Sequence, residues 1–154
     1  MDKQFWSALA AGIEPYVPGE QPKIEGLIKL NTNENPYPPS PRVLQAVQDC
    51  ANGSLRLYPD PESTALREAI ARVNGVEPGQ VFVGNGSDEV LALSFLAYFD
   101  RGLPVRFADI TYSFYEVYAS LYELSTEVIP LEEDFSLPVG RFFDSPGGCV
   151  IANP

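Results

Sequence analysis

From Ser40 onward, short β-forming runs alternate with helical ones, and this alternation constrains the fold more than any other feature. The segments "VFV" (81–83), "PVRFAD" (104–109), "TEVIPL" (126–131) and "GCVIAN" (148–153) read as strands. Between them, 87–99 is apolar on nearly every side and "SFYEVYASLYEL" (113–124) has a helical pattern. Strands separated by helical crossovers pair in parallel with both faces covered, so their apolar runs are continuous. The pattern predicts an α/β fold, a mostly parallel sheet with flanking helices, and a deeply buried helix at 87–99.

Two further helices precede the first strand. In "SPRVLQAVQDC", Ser40 stands as N-cap and Pro41 at the first helical position. "DPESTALREAIARVNG" repeats the device with Asp60 and Pro61, and Gly75 is a natural stop. Residues 1–39 differ in kind. Pro15, Pro18, Pro22, Pro36, Pro38 and Pro39 interrupt any helix interior or central strand. This part reads as a short helix and an extended arm with a strand at "GLIKLN" (26–31), so 1–39 is an arm and linker and 40–154 a partial domain. The stretch "EEDFSLPVGRFFDSPGG" is a loop with one short helix. The last residues follow a strand directly, where open α/β sheets place ligand loops, an arrangement expected of part of a larger fold.

Composition narrows the chemistry. The 154 residues carry 21 acidic and 10 basic side chains, a net charge of −11 that disfavours nucleic acid and anionic membranes as partners. No apolar stretch reaches membrane-spanning length and the N-terminus lacks a signal-peptide pattern, so a cytoplasmic location is expected. Histidine is absent, which removes Ser-His and Cys-His nucleophile pairs and most zinc and iron sites; no metal is expected. Cys50 and Cys149 lie in apolar contexts and read as buried free thiols.

The stretch "VFVGNGSDEVLALSFL" (81–96) passes from strand through Gly84-Asn85-Gly86 into a helix start. A helix N-terminus presents unpaired N–H groups and a partial positive charge suited to phosphate. The turn is neither a Walker loop nor Gly-x-Gly-x-x-Gly, because Glu89 occupies the third glycine position. By itself it is equally well a plain strand-to-helix corner. The same holds for the Asx-rich "KLNTNENPYPPSP" (29–41), for "LRLYPDP" (55–61) with Tyr58, and for "DITYSFYEVY" (109–118) with Tyr112.

In this order and spacing, however, "IEPYVPGE", "KLNTNENPYPPSP", "LYPDP", "VFVGNGSDE", "TYSFY" and "VIANP" resemble the N-terminal part of the histidinol-phosphate aminotransferase family. That family belongs to the fold-type I enzymes that use pyridoxal 5′-phosphate. The resemblance implies the N-terminal part of the fold-type I large domain, preceded by an extended arm. It also implies that Gly86, Ser87 and Asp88 hold the cofactor phosphate and that Tyr112 stacks on its ring. Tyr58 would reach the cofactor of a neighbouring subunit in a homodimer, and Tyr16 and Asn33 would line the substrate pocket. Asp109-Ile110 stand before Thr111 where relatives often carry proline.

The implied reaction moves an amino group between L-histidinol phosphate and 2-oxoglutarate. It requires a Schiff-base lysine in a Ser-x-x-Lys context, but only Lys3, Lys23 and Lys29 are present and none has that context. No catalytic residue is therefore expected in these 154 residues, and alone they should not transaminate. A threonine-phosphate decarboxylase or an aromatic aminotransferase of the same fold is the nearest alternative. A non-catalytic phosphate-binding or assembly module is the alternative from another class.

Overall fold

A computed structural model describes residues 4–13, 19–20, 22–144 and 146–153. In chain order its helices are α1 (Ala8–Gly12), α2 (Pro41–Cys50), α3 (Thr64–Asn74), α4 (Gly86–Tyr98), α5 (Phe114–Leu121) and α6 (Val139–Phe143). The strands are β1 (Val105–Ala108), β2 (Thr126–Ile129) and β3 (Gly148–Cys149). The chain divides into two compact units, Pro15–Val81 and Met1–Glu14 with Phe82–Pro154.

The first unit is helical. Ser40 caps α2 by accepting from the Val43 N–H, with Pro41 just inside the helix as its fixed φ favours. Asp60 acts differently from the expected N-cap. The helix begins at Thr64, after Ser63 in a left-handed conformation, and the Asp60 carboxylate reaches forward to the N–H groups of Glu62 (3.0 Å) and Thr64 (2.7 Å). Gly75 ends α3 at φ +68°, its N–H returning to the Ala71 carbonyl. Arg67 ties the unit together, donating to the carbonyls of Val81 (3.0 Å) and Pro78 (2.9 Å) and pairing with Glu62 (3.2 Å). The segment 26–31 forms no ladder among the described residues, so the expected strand is not formed: Gly26 stands in a turn at φ +74° and 27–30 carry no regular structure.

The second unit holds a parallel sheet of order β2-β1-β3. The expected strands at 104–109 and 126–131 are β1 and β2, trimmed at their ends. The one at 148–153 shortens to Gly148–Cys149, extended by the bond from the Val150 N–H to the Arg106 carbonyl. All of β1 is buried, and its residues serve opposite faces in turn, as strand geometry requires. Val105 and Phe107 pack with Phe95 of α4 and with Tyr115, Tyr118 and Ala119 of α5. Ala108 packs with Ile129 and with Phe142 of α6, the short helix expected in the 132–148 loop. Burying a Phe-sized side chain contributes roughly 1.5–3 kcal/mol, so Phe95 and Phe107 anchor this half.

Three further expectations change. Residues 81–83 are extended but unpaired, because no described strand supplies a ladder beside them. Helix α4 is not deeply buried: Phe95 is its one buried residue, and Leu93, Leu96 and Tyr98 are exposed. Both cysteines are free, but Cys50 is exposed and Cys149 only partly covered. No helix of the described residues is long and apolar enough to cross a membrane, and none of their acidic and cysteine side chains cluster as a metal site would.

Candidate functional site

The turn at 84–88 is built by backbone geometry and one carboxylate. Gly86 adopts φ +81°, which a side chain would resist, and opens α4 with its own N–H turned back to the Gly84 carbonyl (3.0 Å). Glu89 reaches back one turn and accepts the Asn85 N–H at 2.6 Å. The N–H groups of Ser87 and Asp88 have no acceptor among the described residues. These two are the free donors of the helix start, where the positive end of the macrodipole also lies.

Tyr112 comes to the same place from the other direction. It lies four residues beyond the carboxyl end of β1, next to the start of α5. Its hydroxyl donates to Asp88 Oδ1 at 2.9 Å. Its ring lies nearly parallel to that of Phe114 (centroids 5.5 Å, 15°) and edge-on to that of Tyr115 (5.7 Å, 83°). The loop before it is fixed by Asp109, whose Oδ1 accepts the N–H groups of Ile110 (2.9 Å) and of Leu131 beyond β2 (3.0 Å). Asp109 thus ties this loop to the segment beyond β2.

Tyr118 completes the arrangement. Buried on α5, it donates to the Asp88 carbonyl (3.1 Å), with Asp88 Oδ1 at 3.4 Å. Burial, and then the nearby Asp88 charge, push its phenol up to about 12. Burial alone raises that of Tyr115. Asp88, itself exposed to solvent, therefore meets two phenols. Sequence reasoning did not single out Tyr118 or Glu89. The first looks like ordinary packing on an apolar helix face, and the second like a first-turn acid.

The remaining expected site residues lie in the other unit. Asn33 sits in a tight turn where Thr32 (φ +63°) and Asn33 (φ +53°) are both left-handed, braced by the Lys29–Glu34 pair (2.7 Å) and by Asn31 Nδ2 on the Glu20 carbonyl (2.8 Å). Asn tolerates this conformation readily, a β-branched Thr much less so. Tyr58 is fully exposed, just ahead of the Asp60 turn. Tyr16 lies outside the described residues. Gly86, Ser87, Asp88 and Tyr112 are thus brought together in one unit.

The donor set suits an anion joined to a flat ring: two free N–H groups at a helix start, and beside them an aromatic side chain held by Asp88. Comparison with known proteins gives this a family context. The family profile described as aminotransferase class I and II matches residues 25–142. The chain is 55% identical over 150 residues to histidinol-phosphate aminotransferase 1 of Methylococcus capsulatus, covering 97% of this chain and 42% of that protein. It is 56% identical over 151 residues to the histidinol-phosphate aminotransferase of Clostridium acetobutylicum, covering 98% and 43% respectively. The chain thus spans well under half the length of these curated relatives. A crystal structure assigned as a histidinol-phosphate aminotransferase from Erwinia carotovora atroseptica superposes with a TM-score of 0.68 at 21% identity, over 79% of this chain and 36% of that one. At that identity the likeness concerns the fold, which is the fold-type I α/β architecture.

Proposed function

This chain belongs to the aminotransferase class I and II family, and from that premise we propose that it contributes the phosphate-holding half of a pyridoxal 5′-phosphate site. The observation that carries the reading is the pairing of free N–H groups on Ser87 and Asp88 with Tyr112, which Asp88 itself holds. Ser87 and Asp88 donate to the cofactor phosphate, helped by the Ser87 hydroxyl and by the left-handed turn at Gly86. The Tyr112 ring covers one face of the pyridine. When bound, the cofactor supplies the electron sink that such enzymes use to labilise bonds at an amino acid's α-carbon.

The whole protein moves an amino group between L-histidinol phosphate and 2-oxoglutarate, a reading supported by identities of 55–56% to relatives bearing that name. It works as a homodimer in the cytoplasm. Tyr58, exposed in this chain, reaches the phosphate of the neighbouring site, and Tyr16 and Asn33 line the substrate pocket. Residues 1–39 serve as an arm, and 40–154 as part of the cofactor-binding domain. Lys3, Lys23 and Lys29 are the only lysines here and lack the Ser-x-x-Lys context, so these 154 residues bind without transaminating.

The test is a calorimetric titration of the chain with pyridoxal phosphate, pyridoxal and inorganic phosphate. Saturable binding of pyridoxal phosphate, competed by phosphate and much weaker for pyridoxal, is the expected result. Equal affinity for pyridoxal and its phosphate, or no saturable binding, would overturn the assignment.

A further inference from the structure

An anion cradle that contains an aspartate faces an electrostatic difficulty. The Asp88 N–H is one of the two free donors, yet its own carboxylate repels any phosphate bound there. At a few ångströms two unit charges interact by about 1 kcal/mol in water and several times that near a protein surface. The chain answers this with two phenols. Tyr112 donates to the carboxylate, and Tyr118, from one and a half turns further along, donates to the backbone carbonyl of the same residue. Tyr118 Oη also lies 3.4 Å from Oδ1.

The second contact has a consequence beyond charge. The Asp88 carbonyl and the Asp88 N–H belong to adjacent peptide planes, so a bond to the carbonyl restrains the orientation of α4's first turn. Tyr118 is buried against Phe95 (centroids 5.4 Å) and Phe114 (5.6 Å), which leaves its ring little freedom. A rigid side chain on α5 thereby sets where the donors of α4 point, and the same helix follows directly on Tyr112.

We propose that Tyr118 is a positioning residue for phosphate binding: through Asp88 it fixes the free N–H groups of Ser87 and Asp88 relative to Tyr112. It touches no ligand itself. The proposal rests on the turn being the phosphate cradle, and it identifies what holds that cradle in place.

Tyr118→Phe removes the hydroxyl and keeps the ring. Losing one hydrogen bond of this kind should weaken binding of pyridoxal phosphate and inorganic phosphate about five- to tenfold, while pyridoxal is unaffected. A purely structural role would not separate the phosphate-bearing ligands from pyridoxal. In the unaltered chain carrying 13Cζ-labelled tyrosine, phosphate should also shift the Tyr118 resonance with the same saturation constant as the Ser87 and Asp88 amides. This readout does not depend on the variant folding. Amide shifts at Ser87 and Asp88 with a silent Tyr118, or equal phosphate affinity in Tyr118→Phe, would overturn this proposal and leave the cradle intact. No response at Ser87 or Asp88 to either phosphate ligand would overturn the cradle itself and this proposal with it.

Discussion

Arg106 and Glu127 face each other in register on the parallel strands β1 and β2, joined at 2.7 Å, yet Arg106 is 1% exposed and the Glu127 side chain 48%. A buried guanidinium is costly unless its donors are engaged. Arg106 meets that need with Glu127 and with the Pro146 carbonyl at 3.1 Å, so one side chain on the central strand joins β2 to the loop before β3.

Removing the carboxylate should therefore cost more than removing the guanidinium. Glu127→Ala leaves a buried charge short of its partner and should destabilise by roughly 1.5–3 kcal/mol, the range for a lost charged hydrogen bond. Arg106→Met removes the charge and keeps an apolar stem, so it should lie closer to neutral. Urea denaturation of the two variants checks the order. A Glu127→Ala variant as stable as the parent would mean that water reaches the guanidinium.

The Asp60 turn makes a pH-dependent contribution. Hydrogen bonds from the Thr64 and then the Glu62 N–H hold its carboxyl below the usual carboxylate range, with Arg67 nearby adding to the effect. Because the folded-state pKa is depressed, this contribution is present above the unfolded value of about 4 and is lost as pH falls through the folded one. Thermal unfolding from pH 7 to pH 2 should show Asp60→Asn losing less stability on acidification than the parent does. Parallel curves would show that the carboxylate's charge is immaterial to the turn.

The sequence pattern located β1 and α5 because their apolar runs coincide with what is buried, whereas α2, with no buried residue, was legible from its Ser40-Pro41 start. It failed at 26–31 and 81–83 for one reason. Apolar β-formers declare that a segment extends, but a strand also needs a neighbour to complete its ladder, and among the described residues neither segment has one. The exposure of Cys50 follows similarly, since the apolar face of α2, with Val43, Val47 and Cys50, is uncovered. The meeting of the 84–88 turn with Tyr112 was expected only through the family resemblance, since each motif alone reads equally well as a plain turn or packing. Tyr118 was not expected, because its role depends on which backbone carbonyl its hydroxyl meets.

Tyr118 should also be visible in alkali. Its phenol is pushed up to about 12, chiefly by burial and then by the Asp88 charge, whereas in the unfolded chain it ionises near 10. The folded state then holds its proton more tightly, so stability is unaffected below pH 10 and falls as pH rises from about 10 toward 12. Absorbance of phenolate should show that a late-titrating tyrosine of the parent, in addition to the burial-raised Tyr115, is missing in Tyr118→Phe, and the variant should lose less stability over that interval. A late titration undiminished in the variant would assign it to another tyrosine.

Two glycines should respond to different degrees to the same added methyl group. At Gly148 in β3, a Cβ would run into the ring of Phe99, which is itself packed edge-on against Phe95 (5.0 Å, 71°). Neither the strand nor the core ring can yield easily, so Gly148→Ala should destabilise by about 1–3 kcal/mol, as overpacking does. At Gly84 the nearest obstruction is Glu89 Oε2 at 2.8 Å, the mobile end of an exposed side chain, with Val90 Cγ2 next at 3.1 Å. Glu89 can swing aside, but doing so abandons the Asn85 N–H that it accepts at 2.6 Å. Gly84→Ala should therefore change global stability little, by about 1 kcal/mol or less, while loosening the turn ahead of Ser87. Amide hydrogen exchange separates the cases: faster exchange confined to Asn85 and its neighbours for Gly84→Ala, and across β1 and β3 for Gly148→Ala. Exchange at Asn85 unchanged by Gly84→Ala would mean that Glu89 does not hold the turn.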